Sequence, residues 1–155
     1  MSDRGRLERF LREEVDRYYE ETRHEEHEDD ALKSVCHVIH WACALDEHHE
    51  NAIGTPYRQQ RDCDPEGQYL AGVRYARNRA THQHPQLLMI AGGATFPWVF
   101  PAPLFEIAWK PVGELPPPHP KHPNKELKIF YETLLAGQPV RFSLDALTAF
   151  FGRVP

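Results

Sequence analysis

The chain has 155 residues, of which 41% are hydrophobic and 26% charged, with a formal net charge of −5; this length builds one core without disulfide or metal staples. No apolar run is long enough to span a bilayer and no charged-then-apolar leader opens the chain, so a cytoplasmic protein without membrane contact is expected. The negative balance argues against coating nucleic acid through bulk charge, and three cysteines without a CxxC pair (Cys36, Cys43, Cys63) read as reduced thiols.

The charge is uneven. Residues 1–30 hold twelve acidic residues against six arginines, which leaves the remainder close to neutral and compatible with a local basic site drawn from Arg58, Arg61, Arg74, Arg77 and Arg79. In chain order, Leu7, Phe10, Leu11, Val15, Tyr18 and Tyr19 recur at spacings of three and four, which predicts a helix over 7–28 with one buried stripe. Asp29 and Asp30 then read as N-caps of a second helix running to about His49, its stripe including Leu32, Val35, Cys36, Ile39, Ala42, Cys43 and Leu45. Gly54, Pro56 and their polar neighbours make 51–64 a connecting loop. Asp64-Pro65-Glu66 combines a capping side chain, a first-turn proline and an acid at the positive helix end, so a third helix starts there; Pro85 limits it to about 65–83.

From 86 to 123 the texture changes. Gly92-Gly93, nine prolines between Pro97 and Pro123, and the aromatics Phe96, Trp98, Phe100, Phe105 and Trp109 predict an extended or hairpin-like insertion, with a short strand over 104–109 and a stiff loop at Pro116-Pro117-Pro118-His119-Pro120. Helical patterning returns over 125–136 and closes at Gly137; a last short helix follows Ser143 as N-cap and carries Leu144, Ala146, Leu147, Phe150 and Phe151. The expected fold is therefore mainly α, an antiparallel bundle of four or five helices in a single domain over 1–155, with an irregular proline- and aromatic-rich segment.

The one chemical signature is Arg77-Asn78-Arg79-Ala80-Thr81-His82, at the end of the third predicted helix. Histidine moves protons near neutrality and arginine offers a charged planar fork to phosphate, the minimum equipment for cleaving a phosphodiester without a metal. On a helix, Tyr69, Gly72, Val73, Ala76 and Ala80 share the apolar face, while Ala71, Tyr75, Asn78 and His82 form a second face that the core does not obviously claim.

Arg77-Asn78-x-x-x-His82, late in a helical chain with a long charged first helix, resembles the motif of the HEPN superfamily. The resemblance covers six positions directly and the layout of 7–83 more loosely. It implies a helical bundle, a homodimer whose motifs meet at a cleft, and a metal- and cofactor-independent endoribonuclease in a toxin–antitoxin or phage-defence setting, with RNA as substrate and an antitoxin or defence protein as a further partner. In that scheme His82 is the general acid/base, Arg77 stabilises the phosphorane and Asn78 orients the imidazole or holds a phosphate oxygen. Arg74 and Arg79 would be weaker phosphate contacts, with Tyr75 beside them at the substrate.

Two other readings belong to different classes. The His-x-x-His pairs His24/His27, His37/His40 and His119/His122 suggest a metal-dependent hydrolase or metal-binding helical bundle, best placed at His37/His40 with Asp46, Glu47, His48 and His49 further along the same helix. The aromatics between Phe96 and Trp109 suit a non-catalytic dimeric interaction module.

Overall fold

A computed structural model describes residues 3–80, 83–92, 105–118 and 125–154. Among these residues, six α-helices and a two-stranded antiparallel sheet make the mainly helical bundle expected from the periodicity: α1 (Asp3–Glu21), α2 (Glu28–Ile53), α3 (Thr55–Cys63), α4 (Pro65–Ala80), β1 (Leu88–Gly92), β2 (Phe105–Trp109), α5 (Lys128–Phe130) and α6 (Val140–Phe151). Leu11, Val15 and Tyr18 bury the α1 stripe against α2. Phe10 meets Trp41, and Glu14 meets His37, so the two helices run in opposite directions. α4 packs against α2, α3, α6 and the 125–135 segment, and its buried Leu70, Ala71, Val73 and Ala76 are central to the core.

Close packing at α4 requires glycine. A Cβ on Gly72 would stand 2.7 Å from Leu135 Cδ1 and 3.2 Å from the Tyr131 backbone nitrogen, so the 125–135 segment approaches α4 almost backbone to backbone. That segment is helical as expected but changes winding, from a 3-10 turn (Lys125–Leu127) through α5 to a π-turn (Tyr131–Leu135), and Gly137 at φ 72° ends it. β2 is the better-tied strand. It pairs with β1 from Leu88↔Trp109 to Gly92↔Phe105, bonds residues 137–138 through Trp109, and anchors α6 through Trp109 Nε1 donating to Ser143 Oγ at 3.0 Å.

Several boundaries differ from expectation. α1 ends at Glu21 because its apolar stripe ends at Tyr19, and residues 22–27 form turns. α2 starts at Glu28, so Asp29 and Asp30 are first-turn acids at the positive helix end and not N-caps; it continues past His49 to Ile53, where Gly54 at φ 75° stops it. The expected loop over 51–64 contains a helix. Pro56 opens α3, and its buried face is Tyr57 and Arg61, one turn apart; a phenol and a guanidinium do not register as an apolar stripe. Ser143 lies inside α6, which begins at Val140, and its hydroxyl bonds the Val140 carbonyl at 2.7 Å. The predicted strand over 104–109 appears as β2. The sequence features within 93–104 and 119–124, including His119/His122, lie outside the described residues.

Candidate functional site

α4 presents the motif, and Asp64 sets where it begins. The Asp64 carboxylate accepts the backbone N–H groups of Glu66 and Gly67, both at 2.9 Å, as the sequence predicts for an N-cap. Burial of Asp64 opposes ionisation, but those two bonds and the Arg153 guanidinium prevail and hold its carboxyl below the usual range. Sixteen residues later the helix ends at Ala80.

Arg77 and Asn78 occupy its last turn, both partly exposed. Arg77 Nη1 lies 3.3 Å from Glu47 Oε1 on α2 and 3.5 Å from Asn78 Oδ1, with 35% of the arginine side chain and 48% of the glutamate side chain open to solvent. Thr81 and His82, the third member of the motif, lie outside the described residues.

The flanking residues are occupied within the fold. Arg79 donates from Nε to the Pro116 carbonyl and from Nη1 to the Tyr75 hydroxyl, both at 2.7 Å, which fixes the start of the proline run against α4. Tyr75 is 3% exposed and packs on Tyr131, and Ala71 is fully buried. The face of Ala71, Tyr75 and Asn78 is therefore largely a core face, contrary to the sequence expectation. The reason is the 125–135 segment, which a helix wheel of α4 alone does not foresee.

Arg74 belongs to a buried ionic network that sequence reasoning did not assemble. Asp46, with no exposed surface, accepts Tyr57 Oη at 2.9 Å, Arg61 Nη1 at 3.1 Å and Arg74 Nη1 at 2.5 Å. Arg61 also holds Asp62 at 2.8 Å, and Arg74 also holds Glu50 at 2.5 Å. Burial opposes the charge on Arg61 and Arg74, and the neighbouring carboxylates overcome it, so both guanidiniums titrate above their ordinary value. Burial pushes the Tyr57 hydroxyl up, and Asp46 pushes it further, which keeps it a donor. Glu50, Arg58, Arg61, Asp62 and Arg74 line a cleft of about 300 Å³ beside this network, with Glu126 and Leu127 also in its lining. The polar i, i+4 pairs Asp46/Glu50 and Tyr57/Arg61 were the available signal: such spacings place each pair on one helix face.

The remaining candidates are structural in placement. His49 is 2% exposed, stacked between Tyr57 and Phe151, and its Nε2 has no hydrogen-bond partner among the described residues. Burial and, after it, the Arg4 guanidinium lower its pKa, so it is held neutral. His37 Nδ1 lies 3.4 Å from Glu14, and His40 is exposed against Trp41. Among the described residues no three His, Cys, Asp or Glu side chains gather as a metal site, short of the donor set a catalytic zinc needs. Burial raises the thiols of Cys36 and Cys43 to about 11 and about 12, which makes them poor nucleophiles. No described helix is long and apolar enough to cross a membrane. No protein-family model, curated protein or solved structure matches the chain.

Proposed function

We propose that this protein is a metal-independent endoribonuclease of HEPN type, acting in the cytoplasm as a homodimer in a toxin–antitoxin or defence setting. The observation that carries the reading is the state of Arg77. It stands beside Asn78 in the last turn of α4, partly open to solvent, and its contact with Glu47 is a long, solvent-screened pair of the kind worth at most about 1 kcal/mol. A phosphodiester can displace such a partner. Arg74, Arg79 and Tyr75 are committed to internal bonds, so in this reading they support the motif helix and the substrate contacts narrow to Arg77, Asn78 and His82.

The reaction would be transesterification. The ribose 2′-oxygen attacks phosphorus as its proton passes to an imidazole, the bond to the 5′-oxygen breaks as that oxygen receives a proton, and a 2′,3′-cyclic phosphate remains. Arg77 neutralises charge gathering on the nonbridging oxygens. On an ideal helix positions 77 and 82 point about 140° apart, so one subunit does not easily aim both at one phosphorus. Two motifs facing across a two-fold axis meet that requirement and supply two imidazoles, one for each proton transfer.

RNA cleavage in EDTA by wild type, Arg77→Ala and His82→Ala, with end-group analysis, tests the proposal. Cyclic phosphate ends from the wild type alone support it. Equal cleavage by all three, or cleavage only with added metal, refutes it. Folded, dimeric wild type without cleavage would leave the non-catalytic interaction module.

A further inference from the structure

Next to the motif, the cleft between α2, α3 and α4 carries three guanidiniums, and they are not equivalent. Arg61 is consumed by Asp46 and Asp62 in the floor. Arg58 and Arg74 instead converge on one carboxylate from different helices: Arg58 Nη1 approaches Glu50 Oε1 at 3.4 Å, and Arg74 Nη1 approaches Oε2 at 2.5 Å. Arg58 is half exposed and its other bond, to Thr55 Oγ1, is a long 3.2 Å. Two guanidiniums closing on an oxyanion from separate elements is the arrangement by which proteins grip phosphate.

Glu50 thus holds the position an external oxyanion would take, and it has a way out. Its side chain lines the cleft and keeps 22% of its surface in solvent, whereas Asp46 is sealed. We propose that the cleft is a binding site for a phosphate oxyanion and that Glu50 is its occupant at rest, turning outward when phosphate enters between Arg58 and Arg74. Asp62 and Glu126 on the walls disfavour anions that cannot engage both arginines. Burial works against a charged Glu50, but the Arg74 hydrogen bond and the Arg74 and Arg58 charges outweigh it, so at neutral pH the carboxylate leaves by displacement and not by protonation. The site is independent of the cleavage proposed above.

Titration calorimetry of the full chain at constant ionic strength tests this with two probes: inorganic phosphate, and a 2′-O-methylated pentanucleotide without terminal phosphates, which cannot be cleaved. Glu50→Gln should tighten binding at least about tenfold in one arm or both, and the responding arm identifies free phosphate or nucleic-acid backbone as the source. Adding Arg58→Ala to Glu50→Gln should abolish the gain. If Glu50→Gln does not fold, phosphate should raise the Tm of the wild type and leave Arg58→Ala unmoved. No gain in either arm, a gain that survives loss of Arg58, or equal Tm responses would overturn the proposal.

Discussion

Arg74 and Arg77 lie three residues apart on one helix, and both meet carboxylates from α2, yet their situations are opposite. Arg74 is three-quarters covered and bonded at 2.5 Å to both Asp46 and Glu50; Arg77 touches Glu47 at 3.3 Å with a third of its side chain in water. The difference is made by the surroundings and not by the pairing. α3 and the 125–135 segment both pack on α4, and Asp46 beneath Arg74 has no exposed surface, whereas Glu47 beside Arg77 keeps 48% of its side chain in solvent. Where the carboxylate is sealed, as at Asp46, an ion pair is an obligation, because breaking it strands a desolvated charge; where both partners reach solvent, as at Arg77 and Glu47, the same chemistry is exchangeable.

The largest effect expected from this contrast is at Asp46. Asp46→Ala leaves Arg61, Arg74 and the Tyr57 hydroxyl without their common acceptor, and should lower the unfolding free energy in urea by about 3–5 kcal/mol. Arg74→Met removes one partner while Asp46 keeps Arg61 and Tyr57, so a smaller loss of about 1–3 kcal/mol is expected. A loss at Arg74 equal to that at Asp46 would mean that the network has no redundancy.

The buried side also predicts a pH response. His49 is packed with Tyr57 from α3 and Phe151 from α6, and the charged or titratable groups acting on it are Arg4 and Glu8 of α1 and His48 and Asp46 of α2. Its folded pKa lies below 6.5, so as pH falls through that value the unfolded chain takes up a proton that the folded chain refuses. Stability should fall with pH below 6.5, by at most about 1.4 kcal/mol per unit, until the lower folded value is reached. His49→Phe keeps the stack and should flatten that part of the Tm–pH curve. The smallest stability effect belongs to Arg77→Ala, within about 1 kcal/mol of wild type.

How much of this was legible in the sequence follows from what a residue must do to announce itself. Apolar stripes made α1, α2 and β2 readable, and Asp64-Pro65-Glu66 marked the start of α4 because capping is local chemistry. α3 was hidden because its buried residues are Tyr57 and Arg61, whose burial depends on Asp46, eleven and fifteen residues earlier on another helix. The same non-local pairing concealed the cleft: Arg58, Arg61 and Arg74 stood out as basic residues, but only the packing of three helices brings them to Glu50. Tyr75 and Arg79 read as accessible because the wheel of α4 does not include Tyr131 or the Pro116 carbonyl, which cover and bind them.

Unfolding free energy and RNA cleavage in EDTA, measured on the same Arg77→Ala preparation, separate a proposed functional role of this arginine from a structural one. If the proposed nuclease role holds, stability stays within about 1 kcal/mol of wild type while cleavage falls about a hundredfold or more. Unchanged cleavage, or a loss of cleavage explained by a matching loss of folded protein, would contradict it.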